Sequence, residues 1–140
     1  MVDPSLKGKT FTPFSYTIER GKVREFLLAI GDHNPAYQVE DPPLPPTFPT
    51  LFLFWGSGGL EGRLKEIGID IWNVLHAEQD YEYLAPLHIG DTVTGTMRIT
   101  DVYTKSGRSG DLNFIEFTTE YRNQDGVLAV KDRALVIVRG

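Results

Sequence analysis

From Ile71 onward the apolar residues of this chain recur at nearly every second position, and a half-chain patterned that way folds as long strands covering one face of a sheet. Trp72, Val74 and His76 fall on one face of a first strand, which continues through Tyr81 and Tyr83. Gly90-Asp91 opens a second, with Val93, Met97 and Ile99 inward and Thr92, Thr94, Thr96 and Arg98 outward. The phase slips at Asp101-Val102, which predicts a β-bulge. Residues 105–110 read as a loop. In a third strand Ile115, Phe117 and Tyr121 alternate with Glu116, Thr118, Glu120 and Arg122. Asn123-Gln124-Asp125-Gly126 then signals a hairpin turn into a last strand over residues 127–138.

The preceding half is patterned differently. A short strand over residues 11–18 carries the alternating aromatics Phe14 and Tyr16. Val23, Phe26, Leu27 and Ile30 sit at i, i+3, i+4 and i+7, which predicts a helix from residue 19 or 21 to 30 with Lys22, Arg24 and Glu25 outward. Gly31 is suited to end it, because the residue after a helix commonly takes a positive φ. Asp32 is therefore held just past a rigid helix end. The run Asp41-Pro42-Pro43-Leu44-Pro45-Pro46-Thr47-Phe48-Pro49 cannot be helix or central strand, since each proline lacks an N–H and restricts the residue before it. It reads as a stiff extended loop inside one domain, because too little chain precedes it to form a core. Residues 50–65 are apolar enough for a buried helix, but Gly56, Gly58, Gly59 and Gly62 interrupt it at ~1 kcal/mol each. A split or irregular helix is expected, or a close approach by a ligand or another backbone.

Helices followed by antiparallel strands give an α+β domain in which a sheet wraps a central helix. At 140 residues one domain, 1–140, is expected. Hydrophobic content of 41% with 24% charged residues is that of a globular chain with no disordered tract. A net charge of -5 with scattered basic residues argues against a nucleic-acid partner, whose phosphates need clustered Lys and Arg. The absence of cysteine removes disulfides, thiolate metal sites and a Cys nucleophile. Residues 51–55, an apolar run that no other exceeds, fall far short of the ~20 that span a bilayer, and no apolar leader is visible. No membrane association is expected, and a cytoplasmic location follows.

Gly31-Asp32-His33-Asn34-Pro35-Ala36-Tyr37 resembles the hydratase signature Gly-Asp-x-Asn-Pro-x-His of the MaoC-like, (R)-specific enoyl-thioester hydratases. The likeness continues through Phe26-Leu27-Leu28-Ala29-Ile30, Pro45-Pro46-Thr47-Phe48-Pro49, Leu75-His76-Ala77-Glu78-Gln79, Tyr81-Glu82-Tyr83 and Pro86-Leu87-His88-Ile89-Gly90-Asp91, in the order of the MaoC-like N-terminal, or fatty-acid-synthase-type, dehydratase domain. That resemblance implies a hot-dog fold, an antiparallel sheet around a central helix, that dimerises. It also implies an acyl-CoA or acyl-carrier-protein thioester as ligand. In the family the Asp and His hold a water and move its proton during addition to the enoyl double bond, and backbone N–H groups at the start of the central helix hold the carbonyl oxygen. Here the Asp position is Asp32 and the His position is Tyr37. An unperturbed phenol, with a pKa of about 10, is a poor base near neutrality. The departure makes the chain similar to the accessory half of heterodimeric 3-hydroxyacyl-thioester dehydratases, which needs a MaoC-like catalytic subunit with the complete pair.

Each residue has a plainer reading beside the chemical one. Asp32 and Asn34 also suit a turn, capping nearby N–H groups. Tyr37 is open to donating a hydrogen bond, to a ligand or to Asp32, or to packing. His76 is the candidate replacement base, since a histidine titrates near neutrality, but a lone His on a strand is more often a bonded core residue. His33 adjoins Asp32 without forming a dyad by adjacency alone, and His88 sits in a loop. Asn34, Tyr37, Phe48 and Gly56 are the candidate substrate-contacting residues, with Phe52, Phe54 and Trp55 as core or channel lining. The three histidines lack zinc-site spacing, and no nucleotide-binding glycine pattern or nucleophile elbow occurs, so neither metal nor cofactor is expected. Three rival readings stand beside the accessory subunit: a homodimeric hydratase using Asp32 with His76 or Tyr37, a hot-dog acyl-CoA thioesterase, and a non-enzymatic acyl-thioester binding module.

Overall fold

The computed structural model describes residues 2–139. Five strands, β1 (Phe14–Thr17), β2 (Val74–Tyr83), β3 (Thr92–Gly107), β4 (Gly110–Arg122) and β5 (Leu128–Arg139), form one antiparallel sheet in the order β1-β3-β4-β5-β2. Three α-helices accompany it among the described residues: α1 (Arg20–Ile30), α2 (Thr50–Ser57) and α3 (Gly59–Glu66). The sheet's inward residues follow from the period-two pattern, with Val93, Met97, Ile99, Ile115, Phe117 and Tyr121 all buried. α2 sets its fully buried Phe52 against that face, with ring centroids 5.1 Å from Tyr121 and 5.2 Å from Tyr16.

The glycines divide the long apolar segment as its composition suggests. Gly58 and Gly59 both have positive φ, 79° and 76°, so the helix breaks there into α2 and α3. Gly95 serves a different need. A Cβ on it would stand 2.5 Å from Phe14 and 2.7 Å from Tyr121, so the sheet accepts those two rings only over a bare backbone. α3 is held by Arg63, which is almost wholly buried between the rings of Phe11 and Phe14, 5.3 Å from each, and donates from Nη2 to the Thr12 carbonyl.

Three local expectations are corrected. Trp72 does not continue the first strand: residues Ile71–Asn73 form a 3-10 turn because the Asp70 carboxylate accepts the Trp72 N–H at 3.0 Å, and Trp72 stands 88% exposed. The loop at residues 105–110 is instead a tight two-residue hairpin, with Gly107 paired to Gly110 and Ser106 bonded to Asp111. Ile30, expected inward, is 49% exposed at the end of α1. The bulge in β3 falls between Ile99 and Asp101, a step earlier than the sequence phase slip, and a second lies in β2 between His76 and Glu78.

Two apolar clusters fill the concave side. One gathers Phe14, Val23, Leu27, Phe48, Phe52 and Tyr121, the other Phe11, Leu64, Ile99, Phe117 and Val136. Between them the paired positions Thr119, Asp132 and Tyr81 cross the sheet toward edge strand β2. Thr119 and Asp132 are both buried.

Candidate functional site

α1 ends where Gly31 turns left-handed, φ 69°, and gives its N–H to the Leu28 carbonyl while the Asp32 N–H reaches Leu27. This motif aims Asp32 off the helix end in one defined direction. Its Oδ1 then accepts the Asn34 N–H at 3.0 Å, and the Asn34 side chain caps the next 3-10 turn, Pro35–Tyr37, by accepting the Ala36 N–H at 3.0 Å. Asp32 and Asn34 are therefore turn-forming residues in fact, yet Oδ2 of Asp32 has no protein hydrogen bond among the described residues. Beside it lies a cavity of about 320 Å³, walled by Val23, Leu27 and Leu28 of α1, by Asp32, His33 and Tyr37, and by Val39, Pro42 and Ile89. Arg20 and Arg24 also face it.

Of the residues singled out by sequence, this cavity unites Asp32 and Tyr37. His33 is on the same wall, but among the described residues the histidine–carboxylate contact within 4 Å is the pair His88 and Asp91, not one involving Asp32. His76 lies elsewhere, exposed on the sheet-edge strand β2 opposite Val136 and outside the wall of the Asp32 cavity. Phe48 is fully buried, packed on Phe26 and Phe52 at 5.5 and 5.8 Å between ring centroids. Gly56 lets α2 press on β1, since a Cβ there would come within 2.7 Å of the Phe14 ring. Neither of these two residues contributes to the wall beside Asp32.

The start of α2 is also occupied. The N–H groups of Thr50, Leu51 and Phe52 are bonded to the carbonyls of Thr47, Phe48 and Pro49, at 3.2, 2.9 and 3.0 Å, and Pro49 at the cap has no N–H. The donors that a helix normally leaves free for an oxyanion are consumed by the proline-rich turn before it.

A second polar group was hidden in the strand pattern. Asp132 accepts a hydrogen bond from Gln79 Nε2, and burial, opposed by that bond, pushes its carboxyl up to about 6. Tyr81, bonded to Thr50 Oγ1 at 2.6 Å, is pushed up to about 12 mainly by burial. Tyr83 donates to the Pro46 carbonyl and is also pushed up to about 12, by burial first and then by Tyr81, Asp132 and Tyr37. These phenols stay neutral and work as hydrogen-bonding groups. Lys131-Asp132-Arg133 reads as a polar stretch, but Asp132 shares its phase with Val130, Ala134 and Val136, and that phase marks it as inward. Among the described residues no group of three His, Cys, Asp or Glu side chains is placed to hold a metal ion, and no helix is long and apolar enough to cross a membrane.

Residues 5–132 match the family described as the FAS1-like, dehydratase domain region. The chain belongs to that family. A UPF0336 protein of Cutibacterium acnes is 32% identical over 85% of this chain and 81% of its own length. Among solved structures, the C-terminally truncated HadBC (3R-hydroxyacyl-ACP dehydratase) complex of Mycobacterium tuberculosis superposes with a TM-score of 0.77 at 18% identity, covering 94% of this chain and 96% of that one. The ChsH1-ChsH2 complex of the same organism gives 0.70 at 17%, covering 94% and 86%. At such identities the likeness establishes the fold, and the hot-dog dehydratase and hydratase architecture is that of this chain.

Proposed function

We propose that the chain is the accessory, acyl-thioester-binding subunit of an (R)-specific enoyl-thioester hydratase or 3-hydroxyacyl-thioester dehydratase, completed by a MaoC-like subunit carrying both the Asp and the His. The observation that carries this reading is Asp32 on a cavity wall with the Tyr37 phenol for company, and no imidazole within 4 Å of the carboxylate among the described residues. The family's acid–base pair is therefore incomplete in this cavity, with a phenol where the imidazole would stand. The occupied N–H groups at the start of α2 point the same way, because they leave the chain without that set of oxyanion donors. Edge strand β2 is unpaired along one side and exposes Leu75 and Tyr83, as a strand awaiting a second sheet does. Two of the similar structures, HadBC and ChsH1-ChsH2, are themselves complexes.

The test is co-expression with a MaoC-like chain from the same genome that bears the intact Asp-x-Asn-Pro-x-His run. One tagged chain should retain the other in equal amounts through size exclusion. Recovery of this chain only as a monomer or a homodimer rejects the accessory role. A homodimeric enzyme using Asp32 with Tyr37 is the second reading, favoured by Tyr37 sharing the Asp32 cavity, which His76 does not line. It requires that Asp32→Asn abolish a turnover measurable in the isolated chain.

A further inference from the structure

Two charges of α1, Arg20 and Arg24, do nothing for its own stability. Arg20 stands in the first turn, where Glu19 at the cap is the one acidic neighbour and does not pair with it among the described residues, and no basic residue occupies the last turn. A helix N-terminus carries partial positive charge and disfavours cations. Arg24 follows four residues later on the same face, a spacing at which like charges repel. Lys22 is accounted for, paired with Glu25 at 2.7 Å and lying 5.3 Å from the Trp55 ring. The two arginines are not: among the described residues neither meets a carboxylate within ion-pair distance. Both face the 320 Å³ cavity beside Asp32, in a chain whose net charge is -5. Local choices that oppose the fold gather where a ligand repays them.

We infer that Arg20 and Arg24 are an anion clamp for the phosphate of a pantetheine-borne acyl thioester, and that the cavity between them and Asp32 admits the pantetheine arm. The inference rests on the acyl-thioester reading above and adds the feature of the carrier that this chain recognises. Guanidinium groups suit a phosphate because their paired N–H donors match two of its oxygens. Val23, Leu27 and Ile89 line the cavity for the arm's methylene and gem-dimethyl groups, while Tyr37 and Gln38 bring polar groups for its two amides. Asp32 faces the same space and repels an anion there, so the phosphate belongs at the Arg20 and Arg24 end.

Isothermal titration of the full chain with 4′-phosphopantetheine and with pantetheine isolates the phosphate, the one difference between the probes. The phosphorylated probe should bind at least about tenfold more tightly, with a preference that weakens as salt is raised. The double variant Arg20→Gln, Arg24→Gln should lose that preference while its thermal midpoint stays level or rises, because it relieves repulsion in α1. The double lysine variant should retain part of it. A purely structural role for the arginines would instead lower the midpoint. Stronger competition by coenzyme A than by phosphopantetheine assigns the preference to a nucleotide carrier, and a preference for holo over apo acyl carrier protein assigns it to a protein carrier. Equal binding of the two probes, failure of both to bind, or an unchanged preference in the glutamine variant overturns the clamp. Those failures leave complex formation with a MaoC-like chain untouched, and failure of that complex leaves the phosphate preference of the isolated chain untouched.

Discussion

Phe52→Ala should cost the isolated domain about 3–5 kcal/mol, the range for deleting a fully buried aromatic side chain. Phe52 is the point where α2 meets the sheet: it is fully buried, and the rings of Tyr16, Phe48 and Tyr121 surround it at 5.2, 5.8 and 5.1 Å. Edge-to-face packing adds to the area it buries, and neither α2 nor the concave sheet can close the space without moving the other. Against a typical total stability of about 5–15 kcal/mol, such a loss leaves the fold marginal. Urea denaturation followed by circular dichroism measures it. Phe54→Ala is the control two residues on, since Phe54 is 56% exposed and should cost less than about 1 kcal/mol in the isolated chain. A similar cost at both positions would mean that α2 is not clasped as described.

Asp132→Asn should do the reverse and stabilise the domain at neutral and alkaline pH. Burial pushes the Asp132 carboxyl up from 3.8 to about 6, so the folded chain holds this proton more tightly than the unfolded chain does. The stability this group contributes is then present in full below about pH 4, falls as pH rises toward 6, and is lost above that. A difference of roughly two pKa units corresponds to about 3 kcal/mol as an upper figure. Asparagine keeps an oxygen to accept from Gln79 Nε2 and has no charge to bury. Its gain should be near zero at pH 4 and level off at about 1–3 kcal/mol above pH 6.5. A destabilised variant at pH 8 would mean that the ionised carboxylate is compensated by its surroundings.

Much of this architecture was open to reading from residue order. The i, i+3, i+4 spacing of Val23, Phe26 and Leu27, closed by Gly31, fixes α1 because nothing nearby competes with it. The alternation around Val93 to Ile99 and Ile115 to Tyr121 fixes β3 and β4 because one face is buried throughout. Misreadings fell where that contrast fades. The tip of the β3–β4 hairpin is solvated on both faces, so Lys105 and Ser106 remain in the ladder without any apolar period to mark them. At Trp72 a single Asp70 side-chain bond outweighs strand alternation. The site was legible in its motif, Asp32 through Tyr37, and much less so in its chemistry. Arg20 and Arg24 are exposed and read as an ordinary solvated helix face, and only the fold brings Asp32 and Tyr37 to the same cavity rim. His76 lost its candidate surroundings because β2 is an edge, a property of strand order that no local pattern carries.

Hydration of crotonyl-CoA by the purified chain, alone and mixed with a MaoC-like subunit bearing the intact Asp/His pair, bears most directly on the accessory role. Alone, the chain should turn over at least about 100-fold more slowly than the mixture, the scale of losing one positioned acid–base group. Rapid turnover by the chain alone, abolished by Asp32→Asn, would contradict it.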